Sequence, residues 1–219
     1  GKVYDMVPLA AGLRDVEEQR RLEQEYIKRG KEPPFHTADP VLAIQNIQEY
    51  SNLTVIWLNL NQFGGQFSLP EQVDAVWISD AYHALSENVY KVPDMLSINR
   101  SVFRAIKPGG LYIIDDYTAP EVTISQGISL VASGSEGVKG QIISAGFVFD
   151  GETKVPAPTG TDTKTSIADK SEHFVLRFKK PATAIGDHRP KVDPLVNYYT
   201  NTYIYNFDAK GNVSGNRPR

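Results

Sequence analysis

The stretch KPGGLYIIDDYTAP, residues 107–120, decides how this sequence is interpreted. A Pro-Gly-Gly turn leads into an apolar run over residues 111–114, and that run ends on two carboxylates, Asp115 and Asp116. A short apolar run bounded by turn residues predicts a buried strand. In open α/β sheets, ligands bind beyond the carboxyl ends of the strands. The two acids therefore mark a candidate site.

Apolar runs elsewhere in the chain predict the remaining elements. Residues 53–58 and 73–78 are predominantly apolar runs with no polar/apolar alternation, which is typical of strands covered on both faces. Helices are predicted over about residues 13–29, 39–50, 89–106 and 136–145, and further strands over 2–7, 147–149 and 174–178. Alternation of strands and helices with short connections predicts an α/β fold with a mostly parallel sheet. Residues 152–171 are predicted to form a surface loop.

The same patterns predict which side chains are buried. Helical periodicity places Ile27 on the buried face of the first helix, and Ile44, Ile47 and Tyr50 on that of the second. Trp77 and Phe103 are expected to be buried between the sheet and the helix at 89–106.

Composition excludes several classes of function. The 219 residues include no cysteine, so disulfides, thiolate metal sites and cysteine nucleophiles are excluded. The net charge of −3 gives no general attraction to nucleic acid, and the tyrosine cluster at 198–207 favours packing against a partner over base stacking. No apolar run approaches the ~20 residues of a membrane span. No metal site is predicted, because the four histidines are scattered, at positions 36, 83, 173 and 188.

Four stretches occur in an order that resembles a known family. VDAVWISDAYHAL (73–85), AIKPGGLYIIDDY (105–117), SAGFVFDGET (144–153) and HFVLRFKKP (173–181) are similar to the second half of class I S-adenosylmethionine-dependent methyltransferases. The closest likeness is to a bacterial group of predicted methyltransferases that are often exported. The resemblance implies a Rossmann-like methyltransferase sheet with an antiparallel last strand over residues 1–181, a C-terminal arm over 182–219, and S-adenosylmethionine as cofactor.

The sequence departs from that family at its amino end. By the resemblance, residues 2–7 match the second family strand, so the first strand and the glycine-rich cofactor loop would lie before Gly1. Val7 and Pro8 stand where the family has an acid for the ribose hydroxyls. Glycines at 134, 137 and 140 follow no clear strand, which favours a loop entering a helix. An upstream segment is expected to fill the place of the first strand, with a second chain or the tail strand 202–207 as the other choices.

The resemblance also implies roles for five residues. His83 would act as a general base and Asp115 would orient the acceptor, while Ser79, Asp80 and Asn59 would contact the cofactor. A histidine that only caps or packs on a helix explains His83 equally well, and asparagines after a strand more often form turns. Adjacent strand residues face opposite sides, so one acid of the pair at 115 and 116 is expected to be a turn or capping acid.

Two functions remain open from the sequence. The first is methyl transfer to an unknown small-molecule acceptor, with this chain alone expected to be inactive because the cofactor loop is not in it. The second is a non-catalytic protein that forms assemblies or binds partners, in which the tail could mediate a homo-oligomer. The compartment stays open between periplasm and cytoplasm of a bacterial cell.

Overall fold

The chain folds into two compact units. The computed structural model describes residues 1–35, 43–44, 47–61, 63–85, 90, 92, 94–117, 134–155, 173–182, 203–207 and 213–217, with residues 117, 155, 203–207 and 213–217 described by backbone alone. The first unit comprises Gly1–Ser68, Asn88–Val92 and Lys191–Arg219, and the second comprises Leu69–Glu87 and Pro93–Pro190. The boundary predicted after residue 181 stays a prediction.

Eight strands and four helices are defined along the described residues. In chain order they are β1 (Val3–Pro8), α1 (Val16–Lys28), a 3₁₀ turn (Gln48–Tyr50), β2 (Leu53–Leu58), β3 (Val73–Ser79), α2 (Tyr82–Leu85), α3 (Met95–Ala105), β4 (Ile106–Tyr117), α4 (Gly134–Ser144), β5 (Val148–Val155), β6 (His173–Lys179), β7 (Tyr203–Phe207) and β8 (Val213–Arg217). No helix within these ranges is long and apolar enough to cross a membrane.

The sheet of the first unit has the order β1-β2-β7-β8. β1 and β2 are parallel, whereas β7 pairs antiparallel with β2 through Ile56 opposite Ile204 and Trp57 opposite Tyr203. β2 is buried from Val55 to Leu58 because it has a strand on each side. The strand predicted in the tail is therefore confirmed, and it pairs with β2 of its own chain. β7 in turn pairs antiparallel with β8.

Helix α1 begins at a capping aspartate and ends at a glycine. The Asp15 carboxylate accepts a hydrogen bond from Glu18 N at 2.9 Å, and Gly30 has the positive φ of 65° that favours glycine after a helix. The prediction of a buried Ile27 is wrong, since this side chain is 65% exposed. The buried positions, Val16, Gln19 and Glu23, lie in the first two turns, and the covered face does not reach the last turn.

The second predicted helix lies mostly outside the described residues. Within it, residues 43–44 are helical and residues 48–50 form the 3₁₀ turn. Ile44, Ile47 and Tyr50 are exposed, so the prediction that they form a buried face is wrong. The apolar periodicity of this segment does not correspond to a face covered by the described residues.

The sheet of the second unit has the order β3-β4-β6-β5. β3 and β4 are parallel, and β6 pairs antiparallel with both β4 and β5. The predicted antiparallel last strand is confirmed. A mostly parallel arrangement is wrong, because among the described strands only the β1–β2 and β3–β4 pairings are parallel, and the late strands and the tail hairpin run antiparallel. Residues 152–155, predicted to begin a surface loop, belong to β5, and the rest of that predicted loop lies outside the described residues.

The Pro-Gly-Gly turn of the opening stretch is a bulge inside β4. Val73 lies opposite Ile106 and Ala75 lies opposite Leu111, so residues 107–110 face the single residue Asp74. Gly109 adopts a φ of +81° and donates to Lys180 O, while Lys180 N donates back to Gly110 O. The helix therefore ends at Ala105, before the proline, and the glycines serve the sheet. A bulge of this kind needs a residue that tolerates positive φ.

An aromatic cluster fills the core of the second unit. The ring centroid of Phe147 lies 4.9 Å from that of Phe103 and 5.2 Å from that of Tyr112, and the ring centroids of Tyr112 and Phe178 are 6.5 Å apart. Phe103 is only half-buried, and its ring also contacts the Lys180 ammonium. Lys180 donates to the carbonyls of Phe103 and Ile106, which neutralises the carboxyl end of α3.

Trp77 is exposed, contrary to the prediction. Its exposed fraction is 65%, whereas the preceding Val76 is buried. Successive strand residues face opposite sides of a sheet. Within the part of the chain that the structure describes, β3 is thus covered on one face only, and its single strand neighbour is β4.

Helix α4 is joined to β5 by an ion-paired lysine. Lys139 Nζ lies 2.6 Å from Glu136 Oε1 and 2.6 Å from Glu152 Oε2. The hydrogen bonds that Lys139 donates to these carboxylates raise the pKa of Lys139, and the bond that Glu152 accepts lowers the pKa of Glu152. The predicted helix at 136–145 is confirmed. The glycines at 134, 137 and 140 lie within it.

Gly110 and Gly140 form a matched pair of glycine-to-alanine tests. A Cβ at Gly110 would lie 2.5 Å from Asp74 O and 2.7 Å from Ile106 Cγ2, whereas a Cβ at Gly140 meets nothing within 4 Å. We expect Gly110→Ala to lower the free energy of unfolding by about 2–3 kcal/mol through overpacking. Gly140→Ala, in a helix, should raise it by about 0.5–1 kcal/mol. Urea denaturation measures both, and equal effects would contradict the bulge.

Candidate functional site

The carboxyl ends of β3 and β4 lie side by side in the second unit. Ser79 is opposite Asp115, and the next backbone N–H, that of Asp80, donates to Asp115 O at 2.8 Å. Asp80 has a φ of +48°, in the left-handed region that aspartate tolerates better than most residues. This turn ends β3 and leads into the short helix α2. The polar residues after β3 are therefore held against the acids that end β4.

A buried carboxylate holds His83 by two bonds. Asp116 Oδ2 accepts from the backbone N–H of His83 at 2.9 Å, and Asp116 Oδ1 lies 2.7 Å from His83 Nδ1. The Asp116 side chain is 2% exposed and that of His83 is 20% exposed. An ionised carboxylate can only accept, so Nδ1 is the donor of this bond. Asp116 is thus both a cap for α2 and an anchor for the imidazole.

The neighbouring acid, Asp115, faces a different set of groups. Its Oδ1 lies 2.8 Å from His173 Nε2, and its Oδ2 accepts from Ser79 Oγ at 3.4 Å. Asp80 Oδ1 is 3.9 Å from the same His173 nitrogen. The imidazole of His173 is 40% exposed, so these ion pairs form near solvent when it is protonated. Asp115 therefore belongs to a polar, partly exposed cluster.

A chain of hydrogen bonds links helix α2 to α3, α4 and β4. Tyr112 Oη donates to Asn99 Oδ1 at 3.1 Å, Asn99 Nδ2 donates to Tyr82 Oη at 2.9 Å, and Tyr82 Oη donates to Gln141 Oε1 at 2.9 Å. Burial raises the pKa of Tyr82, with a hydrogen bond from Asn99 opposing the shift and the charge of Asp116 adding to it. Burial likewise raises the pKa of Tyr112. Both hydroxyls stay protonated as donors.

Four of the five predicted site residues meet in this unit. Ser79, Asp80, His83 and Asp115 lie at the ends of the two parallel strands, as described above. Asn59 belongs to the first unit, where its side-chain amide donates to Leu13 O at 3.0 Å. The roles assigned to all five residues stay predictions. The geometry of four is consistent with one polar region beyond the strands.

The sequence missed the partners of these residues. Asp116 was expected only as a turn or capping acid, and His173 was treated as one of four scattered histidines. His173 reaches the site because antiparallel pairing places it opposite Tyr117. Aligning the predicted last strand antiparallel to residues 111–117 is the signal that would have found it. Within the described ranges, no three histidine or acidic side chains are arranged to hold a metal ion.

Comparison with known proteins gives structural neighbours only. No protein-family model and no curated protein sequence matches the chain. Among solved structures, the [4+2]-cyclase SpnF matches with 11% identity and a TM-score of 0.46 over 84% of this chain and 76% of its own. The N-methyltransferase NodS from Bradyrhizobium japonicum WM9 matches with 14% identity and a TM-score of 0.43 over 82% and 78%.

A third neighbour is a SAM-dependent methyltransferase from Aquifex aeolicus. It has 20% identity and a TM-score of 0.40 over 82% of this chain and 69% of its own. The chain's own strand pairings show an α/β architecture with mixed sheets. The structures similar to it include SAM-dependent methyltransferases. Identities and TM-scores this low give no activity to the chain, and one of the three neighbours is named as a cyclase.

Asp116 and Asp115 provide a matched pair for testing the buried anchor. Asp116→Ala leaves a buried His83 N–H without its acceptor, so we expect the free energy of unfolding to fall by about 1–3 kcal/mol. Asp115→Ala removes contacts nearer to solvent and should cost less than about 1 kcal/mol. Chemical denaturation at neutral pH measures both. A larger loss for Asp115→Ala than for Asp116→Ala would contradict the assignment of Asp116 as the anchor.

Proposed function

We propose that this protein is an S-adenosylmethionine-dependent methyltransferase-like enzyme in which His83 is the general base for a small-molecule acceptor. The observation that carries the proposal is the 2.7 Å contact between His83 Nδ1 and a buried Asp116 carboxylate, just beyond two parallel strands. Ligands of open α/β sheets bind at this end of the strands. A histidine fixed there by an acid is arranged for proton transfer.

The chemistry assigned to His83 follows from its tautomer. Asp116 holds the Nδ1 proton, so Nε2 carries the lone pair that would accept a proton from an acceptor hydroxyl or amine. Imidazole suits this step because its ordinary pKa lies close to neutral pH. The His83 side chain is 20% exposed. Asp116 orients the base and does not itself need to exchange a proton.

Ser79 and Asp80 are the residues of this unit that fit a polar cofactor. Their side chains are exposed at the end of β3, and the Asp80 backbone is fixed by its bond to Asp115 O. When bound, S-adenosylmethionine supplies the methyl group. Among the described residues, no turn from a strand into a helix is rich in glycine, the feature that lets a backbone approach a nucleotide closely. We therefore propose weak cofactor binding by these 219 residues alone.

The edge of β3 that has no neighbouring strand in the described sheet is suited to pair with a further strand. β3 ends its sheet in the described residues, and it exposes Trp77. Edge strands present unpaired backbone N–H and C=O groups that readily accept another strand. We propose that an upstream segment pairs with this edge, with a strand from a second copy as the second choice. The alternative function, a non-catalytic assembly protein, would use the same edge.

S-adenosylhomocysteine, the stable product of methyl transfer, tests the cofactor proposal. In an NMR titration of the ¹⁵N-labelled chain, we expect saturable shifts of the Ser79 and Asp80 amides with a Kd of about 1 mM. Asp80→Asn keeps a residue that tolerates positive φ and should weaken binding. Asp74→Asn changes an exposed acid at the other end of β3 and should not. The absence of saturable shifts would contradict the cofactor site, and micromolar binding would contradict its incompleteness.

Hydrogen exchange tests the strand proposal. We expect the outward-facing amides of β3 to exchange rapidly in the 219-residue chain and to be protected in a longer form that carries the natural upstream residues. β4 is the internal control, because it has β3 and β6 on its two sides. Protection that grows with protein concentration would instead assign the edge to a second copy. Equal protection of β3 and β4 in the dilute 219-residue chain would show that the edge is already covered.

A further inference from the structure

The short helix that carries His83 is fixed at two adjacent residues. Asp116 bonds to the His83 backbone and ring, as described above. The preceding residue, Tyr82, is 4% exposed and is held through its hydroxyl by Asn99 and Gln141. The described part of α2, Tyr82–Leu85, is thus held to the rest of the unit through both residues.

Asn99 is the central member of the hydrogen-bond chain below α2. It is 0% exposed on α3, it donates to Tyr82 Oη, and it accepts from Tyr112 Oη on β4. Gln141 on α4 accepts from Tyr82 Oη in turn. The four side chains therefore run in one donor-to-acceptor direction, Tyr112 to Asn99 to Tyr82 to Gln141. The three bonds join four secondary-structure elements: β4 to α3, α3 to α2, and α2 to α4.

A buried polar network of this kind is costly unless its members are paired. Burying an amide and two hydroxyls is unfavourable unless each finds a partner, and well-packed apolar side chains would fill the same volume without that requirement. The polar side chains do what apolar ones cannot, since hydrogen bonds fix direction as well as distance. The direction fixed here is that of Tyr82, the residue directly before His83.

We propose that Asn99 is a positioning residue for His83, acting through the Tyr82 hydroxyl. The proposal rests on the proposed role of His83 as a base. Asn99 holds α2 in the orientation in which the His83 ring meets Asp116, so losing Asn99 loosens the Nδ1 bond without touching His83 or Asp116. Loss of that bond releases the imidazole to exchange between its two tautomers.

The tautomer of His83 is the readout. In a long-range ¹H–¹⁵N spectrum of the ligand-free chain at neutral pH, we expect His83 to show one protonated nitrogen, Nδ1. His83→Gln identifies its signals among the four histidines. Asn99→Leu should lower the ratio of the Nδ1–H to the Nε2–H tautomer by about tenfold, the effect of one lost hydrogen bond. Tyr82→Phe, which removes only the hydroxyl, should lower it similarly.

Two controls separate positioning from general destabilisation. Val102→Ala truncates a buried side chain on α3, the same helix as Asn99, and makes no change to the network, so the tautomer ratio should stay as in the unmodified chain. Asn99→Gln keeps the amide and should restore part of the ratio lost in Asn99→Leu. If Asn99→Leu does not fold, Tyr82→Phe decides the question.

An unchanged ratio in Tyr82→Phe would overturn the positioning role, as would an equal loss in Val102→Ala. Because the measurement uses the chain without ligand, failure of S-adenosylhomocysteine to bind would count against the proposed function and leave this result standing.

Discussion

The buried Asp116 carboxylate is the interaction on which the candidate site depends. A charge removed from water is strongly unfavourable unless hydrogen bonds compensate it. Asp116 accepts two hydrogen bonds from His83, one from its backbone N–H and one from its ring, and both would be lost if α2 turned or shifted along the sheet. The requirement to satisfy one acid at the end of β4 therefore fixes the helix that follows β3. The strand pair β3–β4 and helix α2 therefore hold one another in position.

Alternation along β4 divides the two adjacent acids between two tasks. Asp116 faces the protein interior and holds the imidazole, whereas Asp115 is partly exposed and contacts Ser79 and His173. Asp115 also accepts from Asp80 N, but through its backbone carbonyl, so that bond does not depend on the direction of the carboxylate. Two neighbouring carboxylates in a sequence are thus not a catalytic pair, because a strand points them in opposite directions.

The sequence predicted the strands well because continuous apolar runs are a local signal. β2, β3, β4 and β6 all lie where such runs occur. Prediction failed where an outcome depends on what covers a residue. Trp77 and Ile27 are as apolar as their buried neighbours, yet the described sheet and helices leave them exposed. The glycines at 109 and 110 carry a turn signature, and only pairing with Asp74 and Lys180 makes them a bulge.

For the same reason, the sequence predicted the site residues that lie near the strand ends and not the residues that support them. His83, Asp115, Ser79 and Asp80 follow strands directly in sequence, so their position could be inferred from the strand order. His173 and Asn99 come from distant elements, and no local pattern distinguishes a supporting asparagine from one on the surface. What the structure adds is the set of long-range contacts around His83: an imidazole anchored by Asp116 and the hydrogen-bond chain through Asn99. Hydrogen bonds fix direction as well as distance, so these contacts determine how the imidazole is oriented in a way that no local sequence pattern could.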